Sequence, residues 1–120
     1  MYHQKLMAYY KNQSNRETIV SPDFASRKTN PSCGDEISFT GLFNGSVVTD
    51  LKYEGAGCII SQGAASMLCD YARGKKKEAL VALTIDDLLA MLELELGPNR
   101  KQCVQLPLDA LHDALTTSST

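Results

Sequence analysis

The amino-acid sequence predicts an α+β fold: a small three-stranded antiparallel sheet covered on one face by helices, with a further helix at the N-terminus. Three observations carry this. Residues 36–53 alternate with a period of two about a central Asn44-Gly45, the mark of a hairpin. After Ser61 the apolar spacing lengthens to that of a helix. Strand signals come first along the chain and helix signals follow.

In chain order, residues 2–11 carry Leu6, Met7, Tyr9 and Tyr10 at helical spacing and read as a short N-terminal helix, followed by the turn-rich Asn12 to Arg16. Ser21 to Pro31 is rich in Ser, Pro, Asn and charge without periodicity, so it reads as a loop running into the first strand. Ile37, Phe39, Gly41 and Phe43 then alternate with Glu36, Ser38, Thr40 and Leu42. Beyond Asn44-Gly45, expected at the centre of a tight turn with positive φ at both residues, Val47, Thr49, Leu51 and Tyr53 resume the period. A third, short strand is expected over Ala56 to Ile60.

Ser61 suits the cap of a helix bearing Ala64, Ala65, Met67, Leu68, Tyr71 and Ala72, ended by Gly74. Ile85, Leu88, Leu89, Leu92 and Leu96 share one face of a next helix, with Thr84 and Asp87 as its capping box and Gly97-Pro98 as its stop. A last helix is expected after Pro107, with Leu108, Leu111 and Leu115 on one face and a fraying tail over 116–120.

At 120 residues and 43% hydrophobic, the chain has the size of one domain, residues 1–120, able to bury a core without disulfides. A net charge of -2 leaves no basic excess to neutralise a phosphate backbone, so general nucleic-acid binding is excluded. The one basic run, Lys75 to Lys77, reads as a solvated turn. No apolar run approaches the length that spans a bilayer, and the polar start Met1-Tyr2-His3-Gln4-Lys5 does not resemble a signal peptide, so a cytosolic location is expected. There Cys33, Cys58, Cys69 and Cys103 persist as thiols.

Those thiols are where chemistry is expected. Cys33 sits in Asn30-Pro31-Ser32-Cys33-Gly34-Asp35, a tight turn that presents a thiol and a carboxylate two residues apart. Cys58, in Gly55-Ala56-Gly57-Cys58-Ile59-Ile60-Ser61, lies just ahead of a helix start, where free amides and the dipole favour a thiolate. Cys103 reads as a loop cysteine between the Gly-Pro break and the last helix. Cys69, inside a helix between Leu68 and Asp70, reads as core filler. Three thiolates and one oxygen or nitrogen suit either a tetrahedral Zn²⁺ or an iron-sulfur cluster, and the wide cysteine spacing matches no zinc finger. His112, on the last helix among Asp109 and Asp113, reads as part of a solvated face, and His3 lies near the terminus; neither is expected to ligate.

Asn30-Pro31-x-Cys33-Gly34-Asp35, Gly57-Cys58-x-Ile60-Ser61, Gly74-Lys75, Glu78-Ala79 and Cys103 resemble, in order and spacing, the U-type iron-sulfur cluster assembly scaffold family. The Tyr2-His3 to Arg16 segment is similar too. The resemblance implies a platform that accepts sulfur from a cysteine desulfurase, assembles a transient 2Fe-2S cluster and hands it to apo iron-sulfur proteins or carriers. It implies that Cys33, Cys58 and Cys103 are ligands and persulfide acceptors, with Asp35 as the labile oxygen ligand, and that Zn²⁺ can occupy the same site.

The chain departs from the family pattern at Gln102, where the housekeeping branch has a histidine before the third cysteine. The zinc-containing sulfur-acceptor branch lacks that histidine and has an arginine where Arg100 stands, but it also carries an insertion absent here. Leu96-Gly97-Pro98-Asn99-Arg100 stands in place of the segment a dedicated chaperone reads, with one proline and the valine lost, so binding of that chaperone is not carried over.

Overall fold

A computed structural model describes residues 4–31 and 34–117. Helix α1 (Gln4–Lys11) and a 3₁₀ turn (Gln13–Asn15) lead into strands β1 (Phe24–Asn30), β2 (Asp35–Asn44) and β3 (Val47–Ala56). Helices α2 (Ile59–Ala72), α3 (Lys77–Val81), α4 (Ile85–Leu92) and α5 (Pro98–Thr117) follow. The strands form one antiparallel sheet in the order β1-β2-β3, and α2 and α5 pack against it. The expected α+β architecture is the one observed.

The sheet's inner face is built by alternation. Asp35, Ile37, Phe39 and Gly41 of β2 are buried, and their β3 neighbours Leu51 and Tyr53 are fully so. Each such large side chain contributes on the order of 2 kcal/mol on leaving water. Phe24 of β1 lies over Gly41, where a Cβ would collide with its ring, and it stacks on Phe43 at 4.4 Å between centroids.

The hairpin differs from expectation by one residue. Asn44 pairs with Val47, so the two-residue loop is Gly45-Ser46, with positive φ at Gly45 and not at Asn44. A bulge follows, in which Leu42 pairs with Asp50 and Phe43 with Val48. The extra residue, Thr49, is exposed, and Val48 rather than Val47 turns into the core.

Two strand assignments also change. The segment read as a loop before the first strand contains β1, paired from Phe24↔Gly41 to Asn30↔Asp35. Of β1 only Phe24 is buried, so the strand has no apolar alternation and is held in place by its partner. The expected short strand over Ala56 to Ile60 is instead the end of β3, a turn through Gly57 and the first residues of α2.

Among the helices, the capping box of α4 is present as read: the Thr84 hydroxyl accepts from the Asp87 N–H, and the Asp87 carboxylate accepts from the Thr84 N–H. The helix stops earlier than expected, at Leu92, because Glu93 adopts the left-handed conformation, so Leu96 lies beyond it. Gly97-Pro98 is the start of the next helix, since α5 runs unbroken from Pro98. Pro107 is buried inside α5, where it supplies no N–H to the Cys103 carbonyl one turn earlier. Both halves survive because Val104, Leu106, Leu108 and Leu111 bury against the sheet side of the fold.

Lys75 to Lys77 form a turn into α3, with Lys75 over the Tyr71 ring and Lys77 over that of Phe43. His112 is half-buried rather than solvated and lies 3.2 Å from the Leu80 carbonyl oxygen. No helix among the described residues is long and apolar enough to cross a membrane.

Candidate metal and sulfur site

Three elements converge at one end of the sheet. Asp35 is the first residue of β2, Cys58 caps α2 and Cys103 lies in the second turn of α5. A carboxylate oxygen of Asp35 and the Sγ atoms of Cys58 and Cys103 all lie within 4.8 Å of one another. Cys33 lies outside the described residues, so its expected place in this set is not addressed by the geometry. Cys103 stands on a helix rather than in a loop, a correction that follows from α5 beginning at Pro98.

Sequence made Ser61 the cap of α2, but the structure gives that role to Cys58. Its backbone is extended (φ -76°, ψ 159°), and its Sγ accepts the Ser61 N–H at 3.5 Å. A sulfur at the N-cap faces the unpaired amides of the first turn. Gly57, one residue earlier, has φ +124°. A Cβ there would stand 2.6 Å from Asp35 Cγ and 2.9 Å from Asp35 Cα, so only glycine lets the chain pass this close to the carboxylate.

Asp35 is 3% exposed. A buried carboxylate is costly unless hydrogen bonded, and α2 supplies both donors. The Cys58 N–H donates to Oδ1 at 3.1 Å and the Ser61 hydroxyl to Oδ2 at 3.3 Å. Sequence singled out Asp35 as a turn carboxylate beside a cysteine, but gave no sign that Ser61 would contact it from 26 residues away.

The donor set fits a soft divalent metal or an iron-sulfur cluster, with two thiols and one carboxylate on a common point. Ligand atoms around a tetrahedral zinc stand about 3.3–3.8 Å apart. The described three lie within 4.8 Å of one another, close enough for one ion to reach them together. Gln102, beside Cys103, is exposed and lines a cavity of about 260 Å³ with Asn30, Pro31 and Gln105, between the end of β1 and α5.

Cys69 is fully buried in α2, and burial drives its thiol pKa far upward. It is core, as read.

The family model described as NifU-like N terminal domain matches residues 1–119. A zinc-dependent sulfurtransferase named SufU from Bacillus subtilis is 36% identical over 84 residues, covering 70% of this chain and 56% of its own; the match thus spans little more than half of that relative. An iron-sulfur cluster assembly scaffold protein named IscU from Streptococcus pyogenes is 33% identical over 109 residues, covering 75% of this chain and 67% of that one. The crystal structure of a SUF-system scaffold protein, FiSufU, from Fervidobacterium islandicum superposes with a TM-score of 0.81 at 26% identity, over 95% of this chain and 96% of its own.

Proposed function

The chain belongs to the family of NifU-like N-terminal domains, and from that premise we propose that it is an iron-sulfur cluster assembly scaffold. It receives sulfur from a cysteine desulfurase and passes a nascent 2Fe-2S cluster to apo-proteins. One observation carries this: a carboxylate and two thiols from three different elements, within 4.8 Å of one another. Cys33, two residues from Asp35 in sequence, completes the set as a third thiol.

In the transfer step a thiolate of this set attacks the terminal sulfur of the desulfurase persulfide. The S–S bond breaks, the desulfurase cysteine leaves as a thiolate, and the sulfane sulfur remains as a persulfide on the scaffold with no net oxidation. Cys58, partly exposed at the N-cap of α2, is a candidate for the attacking sulfur. The cluster is cargo, so the chain acts as a carrier rather than an enzyme, and it does so in the cytosol, where thiols stay reduced. Cys33, Asp35, Cys58 and Cys103 would hold Zn²⁺, whose charge would keep the thiols ionised.

Anaerobic incubation with a desulfurase, cysteine and ferrous iron tests the proposal. A scaffold develops visible sulfur-to-iron charge-transfer absorption that disappears on adding an apo-ferredoxin. A second reading, a zinc-dependent sulfur acceptor, is favoured by the exposed Gln102 in place of a histidine ligand. On that reading the protein gains sulfane sulfur and stays colourless. Absence of both colour and sulfane sulfur overturns the two readings together.

A further inference from the structure

The Ser61 hydroxyl is fully buried and has one proton to give, yet three acceptors surround it. Asp35 Oδ2 lies at 3.3 Å, the Cys58 carbonyl oxygen at 3.1 Å and Cys58 Sγ at 3.7 Å. Two of these three atoms belong to side chains of the metal-binding set, and no other described side chain bonds to both Asp35 and Cys58. Held by Ser61 at Oδ2 and by the Cys58 N–H at Oδ1, the carboxylate is engaged by the start of α2 on both oxygens.

We propose that Ser61 is a positioning residue which holds Asp35 back from the metal and so sets how readily the site releases its cargo. This inference rests on the metal site proposed above. Because the Cys58 N–H and the Ser61 hydroxyl hold both carboxylate oxygens toward the start of α2, turning the carboxylate toward a metal works against the Ser61–Oδ2 bond. The hydroxyl then has the Cys58 carbonyl oxygen as a ready alternative acceptor, so it is never left unsatisfied in the core. The pull of the Ser61–Oδ2 bond, opposed to ligation, keeps Asp35 a weak and replaceable ligand. A site that must deliver what it binds needs such a ligand.

Removing the hydroxyl releases Asp35 to the metal. Ser61→Ala keeps the backbone N–H that bonds Cys58 Sγ and leaves a gap of only one oxygen atom. Zinc-loaded wild-type protein, Ser61→Ala, Asp35→Ala and the double variant are mixed with excess chelator under reducing conditions, and zinc release is followed by the chelator's colour.

Ser61→Ala is expected to release zinc roughly fivefold more slowly than wild type, the scale of the net contribution of one ordinary hydrogen bond. In the Asp35→Ala background, where the thiols alone hold zinc, the same change has no effect on release. Cobalt(II) gives an independent readout: Ser61→Ala strengthens and shifts the d–d bands as the oxygen ligand binds more closely, and Asp35→Ala abolishes that shift. Faster or unchanged release in Ser61→Ala overturns the inference. So does an equal change in both backgrounds, the signature of a merely structural role. Failure of wild-type protein to bind zinc at all overturns the site itself, and with it this inference.

Discussion

Gly57→Ala tests how closely the turn between β3 and α2 is fitted to Asp35. Two costs add at this position. The backbone has φ +124°, outside the regions open to residues with a Cβ, and holding alanine there costs on the order of 1–2 kcal/mol. The new Cβ also stands 2.6 Å from Asp35 Cγ, and Asp35 cannot easily yield because it is buried and held by two donors from α2. Overpacking of that kind costs about 1–3 kcal/mol.

The sum, about 2–5 kcal/mol, lowers the thermal midpoint of a domain this size by roughly 8–20 °C. Circular dichroism melts of metal-free protein with reductant measure it. The diagnostic comparison is the same substitution in Asp35→Ala, which removes the carboxylate while leaving the 2.9 Å approach to Asp35 Cα. There the cost falls by at least about 1 kcal/mol, a coupling expected only between groups in contact. A Gly57→Ala protein that melts within about 2 °C of wild type, or that loses the same stability with and without the carboxylate, would refute the reasoning.

Other consequences can be measured directly. Asp35→Ala weakens zinc binding by roughly 10–100-fold in chelator competition, the usual scale for losing a group that shapes a metal site. In metal-free folded protein at pH 8, iodoacetamide modifies Cys58 and leaves Cys69 untouched until guanidinium is added, as peptide mass mapping reports, because Cys69 is fully buried and its thiol pKa is driven up by burial. The same shift makes stability alkali-sensitive. A folded pKa above the unfolded one contributes stability that is complete below about pH 8.5 and is lost as pH rises beyond it, so Cys69→Ala flattens the alkaline limb of a melting profile. At the acid end the Arg27 guanidinium holds the Glu36 carboxyl below its ordinary pKa. That contribution is present above about pH 4.3 and is lost as pH falls through the depressed value. Arg27→Ala, at an exposed pair, removes a small, salt-sensitive part of the acid limb.

Much of the fold was legible because it is written in neighbours along the chain. Alternation in β2 and much of β3, the Thr84–Asp87 capping box and the burial of Cys69 each depend on residues a few positions apart, so sequence reports them. Where the reading failed, a distant partner or a local break in period decided the outcome. Strand β1 exists because β2 pairs with it, although its own residues carry only Phe24 into the core. Thr49 falls out of the period because a bulge spends one residue. Pro107 sits inside a helix because apolar contacts on both sides outweigh the lost hydrogen bond.

The site divides in the same way. Sequence by itself determined the chemistry available to this protein, namely cysteines beside glycine at element ends and an aspartate in the first of those turns. Only tertiary structure decided their arrangement: Asp35 buried, Cys58 rather than Ser61 as the cap of α2, and Cys103 brought in on a helix. The physical reason is that a buried carboxylate must find its donors wherever the fold supplies them. Here the fold supplies them from the Cys58 N–H and the Ser61 hydroxyl, 23 and 26 residues along the chain.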